Sequence, residues 1–172
     1  MTKEIFEWIK TIAVSIVIAL FITTFIARPT LVKQHSMYPT LNPNDYLILN
    51  KISYRFHEPQ KGDIVVFKTA LKTAQGKEKN LIKRVIGVEG DEVVVKDGKV
   101  YVNGEELVED YINGDYTPGD VKITVPDNHV FVMGDNRSQS LDSRQLGTFS
   151  IDNIQGKVLV RLFPLNRIGR VD

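Results

Sequence analysis

Hydrophobic positions are distributed along this chain in two different ways, and the change comes at Pro29. Before it, Thr11 to Ala27 (TIAVSIVIALFITTFIA) carries no charged residue and lies between Lys10 and Arg28. As a helix this run would be about 25 Å long, slightly short of the ~30 Å hydrocarbon layer of a bilayer, and the amphipathic stretch from Ile5 through Trp8 can extend it. The pattern predicts one N-terminal transmembrane helix. A cleaved secretory leader would end in a small-residue A-x-A site, whereas this run ends Phe25-Ile26-Ala27-Arg28-Pro29, so it reads as an uncleaved anchor. Lys3 and Lys10 on one side oppose Arg28 and Lys33 on the other, and that count sets no orientation.

Pro29 stops the helix, because it cannot donate a backbone hydrogen bond and pushes the residue before it out of the helical region. Beyond it, short runs rich in β-branched and aromatic residues alternate with Gly, Asn, Asp and Pro. They predict strands at 46–49, 64–67, 81–86, 92–96, 99–102, 121–125, 130–133 and 157–163. The fold class is therefore mainly β, an antiparallel domain with almost no helix beyond the anchor. Asp97-Gly98, between two strand patterns, suits a two-residue type I′ hairpin. Residues 68–80 and 105–120 are polar or rich in turn formers and read as exposed loops. The organisation this implies is an anchor over residues 1–28 and a β domain over residues 29–172, with residues 87–125 as a small β satellite.

The chain is 172 residues long, which leaves room for one sizeable domain besides the anchor. Its 22 Lys and Arg nearly balance 21 Asp and Glu, so no global field draws it to nucleic acid. It has no cysteine, which excludes disulfide and thiol chemistry. No His/Asp/Glu group has metal-ligand spacing and no Gly-rich phosphate loop occurs, so neither a metal nor another cofactor is expected.

Candidate chemistry begins at Ser36, in His35-Ser36-Met37-Tyr38-Pro39-Thr40, where Pro39 stiffens the connection just before a turn. A serine hydroxyl needs a base to become a nucleophile. His35 is its neighbour, and side chains of neighbours in an extended segment point to opposite faces. His57 and His129 lie in polar or strand-end settings, so a Ser-His-Asp triad is the weaker reading. In Leu81-Ile82-Lys83-Arg84-Val85-Ile86 alternation places Lys83 on the face of Leu81 and Val85, with Arg84 on the other. Apolar neighbours strip hydration from an ammonium and lower its pKa, which would make Lys83 a base near neutral pH. The competing reading, a lysine that snorkels to water, is the commoner fate of a strand lysine. After the apolar run 130–133 comes Gly134-Asp135-Asn136-Arg137-Ser138-Gln139-Ser140-Leu141-Asp142-Ser143-Arg144. Here Asp135 and Asp142 can accept and Arg137 and Arg144 can donate, locking a loop that would buttress a site or merely close a surface turn.

In combination these segments resemble the bacterial type I signal peptidases, in their single-anchor, Gram-positive-like form. The resemblance rests on an anchor followed in order by Ser36-Met37-Tyr38-Pro39-Thr40, Gly62-Asp63-Ile64-Val65, Lys83 to Gly87, and Gly134 to Arg144. It implies a signal-peptidase or repressor-protease-like β fold and a Ser-Lys protease in which Ser36 is acylated and Lys83 is the base. It further implies that Ser140 hydrogen-bonds the lysine and that Asp135, Arg137, Asp142 and Arg144 hold the site together. The substrates it implies are secretory preproteins tethered at the bilayer, cut after small residues (Ala-x-Ala) at the outer face of the cytoplasmic membrane. Two positions depart from the pattern. Gln34 stands where many members have Gly or Ser that aids the oxyanion hole, and Glu89 replaces the proline of V-x-PGD. The sequence sets no oligomeric state. Two alternatives remain, a self-cleaving repressor-type protease and a catalytically silent, membrane-tethered β module. The transmembrane run counts against the first, and the joint presence of Ser36 and Lys83 against the second.

Overall fold

A computed structural model describes residues 2–72 and 76–171. The first helix, α1 (Thr2–Phe21), continues through a single wider turn at Ile22–Ile26. Lys3–Ile26 is a 24-residue apolar helix, about 36 Å long and therefore able to cross a bilayer by itself. It exceeds the uncharged run seen in the sequence because the amphipathic turn around Ile5 to Trp8 joins it. Three of its hydroxyls are satisfied internally, as a lipid environment favours: Thr11, Ser15 and Thr23 donate to carbonyls four residues back at 2.8–2.9 Å. Pro29 is not the helix stop. The helix ends at Ile26, and Pro29 lies inside strand β1 (Ala27–Leu31). A proline is tolerated there because β1 is the edge of its sheet and pairs only with β2 among the described residues.

The expected strands form, as β2 (Tyr46–Asn50), β3 (Ile64–Lys72), β4 (Glu78–Val88), β5 (Glu92–Lys96), β6 (Lys99–Val102), β8 (Val121–Thr124), β9 (His129–Met133) and β11 (Ile154–Phe163). Short additions are β7 (Glu105–Glu106), β10 (Phe149–Ser150) and β12 (Gly169–Arg170), together with the single-turn helices α2 (Ser53–Phe56) and α3 (Ser143–Leu146). The larger sheet has the order β1-β2-β11-β3-β4-β9-β10 with β12 beside β11, and the smaller has the order β7-β6-β5-β8. All pairings are antiparallel. The β5–β6 turn has positive φ at both Asp97 and Gly98, as a type I′ hairpin requires.

Residues 68–80 are not a loop throughout. β3 runs on to Lys72 and β4 starts at Glu78, and Thr69 donates from its buried side chain to the Lys79 carbonyl at 2.7 Å. Residues 73–75 lie outside the described set. Backbone pairing along a long hairpin compensates here for polar side chains that carry no strand signal.

Strands β3, β4 and β9 are covered on both faces. Ile64 and Val66 join Leu47, Leu49 and Met37 in one apolar cluster, while Val65 and Phe67 join Leu81, Val85, Val130 and Val132 in another. Ile86, Phe131 and Met133 pack against Val93, Val95, Val100 and Val102 of the smaller sheet, so a third cluster joins the two sheets. Two-sided burial explains why these strands read as nearly continuous apolar runs. Replacing Phe67, whose ring lies 4.4 Å from that of Phe149 at the heart of one cluster, by Ala should lower stability by about 3–5 kcal/mol in urea unfolding of the detergent-solubilised chain.

Candidate active site

Lys83 sits mid-strand in β4, opposite Val65 of β3, on the face that alternation predicts. It is 1% exposed, and its Nζ donates to Ser36 Oγ at 2.7 Å. Ser36, itself buried, starts a turn in which Tyr38 N donates to the His35 carbonyl and Leu41 N to the Met37 carbonyl. Met37 and Leu41 are sunk in the core on the β2 side, which fixes the serine against β4. Burial is the chief influence on the Lys83 amine and lowers its pKa from 10.5 to about 8. The Asp142 and Asp135 carboxylates pull it back up, and the Lys79 and Arg144 charges push it further down.

The segment after β9 is clamped onto the serine through backbone atoms. Asn136 N donates to the Ser36 carbonyl at 3.1 Å, and Asn136 Nδ2 to the His35 carbonyl at 3.2 Å. A Cβ on Gly134 would lie 2.3 Å from the Ser36 carbonyl oxygen and 2.3 Å from Ser140 Oγ, so only glycine lets the two segments approach this closely.

The ion pairs of this segment differ from a self-contained lock. Arg144 grips Asp142 with two parallel bonds of 2.9 Å, as expected. Asp142 also accepts from Gly134 N and caps α3 through Arg144 N. Burial works to raise the Asp142 carboxyl, but the Arg144 guanidinium and the N–H donors hold it below the ordinary carboxylate value. Asp135 reaches out to β4, accepting from Arg84 Nε at 3.0 Å and Nη2 at 2.9 Å, and from the Thr40 hydroxyl. Arg137 turns to Glu109 and Thr117 in residues 105–120, donating to Glu109 Oε2 at 2.7 Å and Thr117 Oγ1 at 2.8 Å. That region is therefore not simply an exposed loop. Asn113 N bonds the Asp135 carbonyl, Arg144 bonds the Pro118 carbonyl, and the Tyr111 ring lies 4.0 Å from the Arg84 guanidinium.

Ser140 is buried close to Ser36, and its hydroxyl acts on the Asp142 carboxylate, which it helps to hold low, so the contact to Lys83 that the resemblance implies is not formed here. Gln34 is exposed and lines the same cleft as Ser36. Of the histidines, His35 is exposed at the wall of the cavity that holds Ser36 and Lys83, His57 is exposed, and His129 Nδ1 lies 2.8 Å from the Asp127 carbonyl. Sequence reasoning missed Arg84, Thr40, Glu109 and Thr117. Arg84 and Thr40 lie within quoted motifs. Glu109 leaves no local signal, since two Asp and two Arg in the 134–144 segment already balance.

The cleft beside Ser36 has a volume of about 680 Å³ and runs between residues 28–34 on one wall and Val66, residues 77–80 and Ile82 on the other. Both walls offer backbone edges without a strand partner among the described residues, because β1 pairs only with β2 and β4 up to Lys83 pairs only with β3.

Comparison with known proteins points to one family. The family model of signal peptidase, peptidase S26, matches residues 5–163. Signal peptidase I of Leptolyngbya laminosa is 45% identical, over 98% of this chain and 85% of its own. Probable signal peptidase I-2 of a Synechocystis species is 44% identical over 93% and 74% respectively. Signal peptidase IB of Staphylococcus aureus is 37% identical over 96% and 93%. A crystal structure of a signal peptidase I from Enterococcus faecalis aligns with 59% of this chain and 97% of its own at 32% identity and a TM-score of 0.48.

Glu109 and Arg137 are 7% and 1% exposed, so truncating one strands the other's charge. Glu109→Ala should destabilise the chain by about 3–5 kcal/mol, measured by urea unfolding, whereas Lys99→Ala, which breaks an exposed pair with Glu106, should leave the unfolding midpoint nearly unchanged.

Proposed function

Because the chain belongs to the signal peptidase family, peptidase S26, and is a serine endopeptidase, we propose that it removes signal peptides from secretory preproteins by a Ser36–Lys83 mechanism. The observation that carries this reading is a buried amine 2.7 Å from a serine hydroxyl, with its pKa brought down to about 8. Neutral Lys83 accepts the Ser36 proton as Oγ attacks the scissile carbonyl. The Lys83 ammonium then protonates the departing amine, leaving an acyl ester on Ser36. Water, deprotonated by the same amine, hydrolyses the ester. The Ser36 backbone N–H serves the oxyanion, and Gln34 lines the cleft wall nearby. Asp135, Arg137, Asp142 and Arg144 position the reacting pair through the bonds described above, and Ser140 borders it.

The substrate enters as an extended segment between the two open backbone edges of the cleft, adding a strand. The chain cuts after small residues, Ala-x-Ala, a reading that membership of the family supports. The N-terminal helix is the anchor, with residues 1–28 on the cytoplasmic side and in the bilayer and residues 29–172 as the catalytic domain at the outer face. Eight residues link Arg28 to Ser36, so the serine stays within about 29 Å of the bilayer boundary. Its substrates are therefore tethered at that surface too.

Cleavage of a membrane-inserted preprotein with an Ala-x-Ala site tests the reading. The intact chain should cut after the last Ala, and Ser36→Ala and Lys83→Met should each lose at least ~10³ of the rate. Efficient cutting by Lys83→Met would sink the base assignment. Because the active base is the deprotonated form, kcat/KM should rise with pH through about 8 and level off above it. A profile flat from pH 6 to 9 would contradict a lysine base.

A further inference from the structure

The chain as a whole is close to neutral, with 22 Lys and Arg against 21 Asp and Glu, but its cleft is not. Arg28, Lys33, Lys77 and Lys79 line the cleft, with Glu78 as the sole carboxylate residue among its described lining. A smaller cavity of about 360 Å³ opens on Ser36 and Lys83 themselves, and apart from Lys83 the cationic residues of its wall are Lys33 and Lys79, with no Asp or Glu among the described lining. Neither of these two lysines has an ion-pair partner among the described residues.

Their placement on opposite walls matters. Lys33 comes from the segment leading into Ser36. Lys79 comes from β4, half-buried, and by alternation on the face of Leu81 and Lys83. The Lys79 charge is near enough to the Lys83 amine to disfavour its protonation. A concave wall of one sign concentrates the field inside it, so a substrate side chain entering here meets two ammonium groups at reduced screening.

We propose, taking the cleft to be the proteolytic site, that Lys33 and Lys79 form a cationic subsite that favours an Asp or Glu side chain of the preprotein close to the scissile bond and disfavours Lys or Arg there. The selection is electrostatic and adds to the preference for small residues at the cut. A carboxylate bridges the two lysines, whereas a third ammonium would be repelled by both and would crowd the amine that must stay neutral.

The test uses the full chain in detergent and preprotein peptides in which each position within four of the cut, other than the two small residues, carries Asp, Asn or Lys in turn. At one position or more, kcat/KM for Asp should exceed that for Lys by about 10-fold at low salt, with Asn between them, and the ratio should shrink as salt is added. It should fall towards one in Lys33→Gln and Lys79→Gln and invert in the double charge reversal K33E/K79E. Ratios within about twofold at every position, or a preference that the double reversal leaves intact, would overturn the proposal. The Asn peptides separate the two levels of the argument. If the unaltered chain cuts them no better than Ser36→Ala does, the proteolytic reading fails and this inference with it. If they are cut normally while the ratios stay flat, only the subsite is wrong.

Discussion

Holding the Lys83 amine out of water is the constraint around which the larger sheet is organised. An ammonium at that position loses most of its hydration, and no carboxylate salt bridge among the described residues repays it. Its chief partner is the Ser36 hydroxyl, a neutral group. The protein therefore settles the matter by lowering the pKa, so that near neutrality an appreciable fraction of the amine is uncharged. Direct pairing with Asp135 or Asp142 would have held the proton in place. Both carboxylates are nearby, and both are occupied by guanidinium groups instead, Asp135 by Arg84 and Asp142 by Arg144.

That occupation explains why so many charges are buried around one lysine. Arg84, Asp135, Arg137, Asp142 and the Arg144 side chain are almost wholly inaccessible, yet each has a partner of opposite sign in hydrogen-bonding geometry. Buried pairs contribute little net stability over an apolar core, but they are directional and intolerant of misplacement. Their effect here is register. Asp135 ties the segment after β9 to β4 and Thr40, Arg144 ties its far end to the Pro118 carbonyl, and Arg137 ties it to Glu109. The smaller sheet thus contributes to the site through the residues between β7 and β8, in addition to packing its valines under Ile86, Phe131 and Met133.

The anchor adds a second constraint from the opposite end. β1 follows the membrane helix directly and forms the edge of the larger sheet, so the chain that leaves the bilayer also forms one wall of the cleft. The proline that would weaken a central strand is harmless there. The same open edge offers backbone donors and acceptors to an extended peptide arriving from the membrane, which is how the anchor and the proposed substrate come to share a geometry.

The sequence by itself determined the N-terminal apolar helix, nearly every strand, the Asp97-Gly98 hairpin and the face on which Lys83 lies, because each depends on a local period of two or on a run of apolar residues. It also singled out Ser36 and Lys83, although residues 36 and 83 met only once β4 and the turn after β1 were packed together. Tertiary structure alone decided who pairs with whom. Nothing local announces that Arg137 would leave the nearby aspartates for Glu109, that Arg84 would be buried as deeply as the lysine beside it, or that β3 and β4 would run on through a polar stretch. Those outcomes depend on charges and backbone edges brought together from distant parts of the chain, where desolvation makes each pairing compulsory, and a one-dimensional pattern carries no record of that.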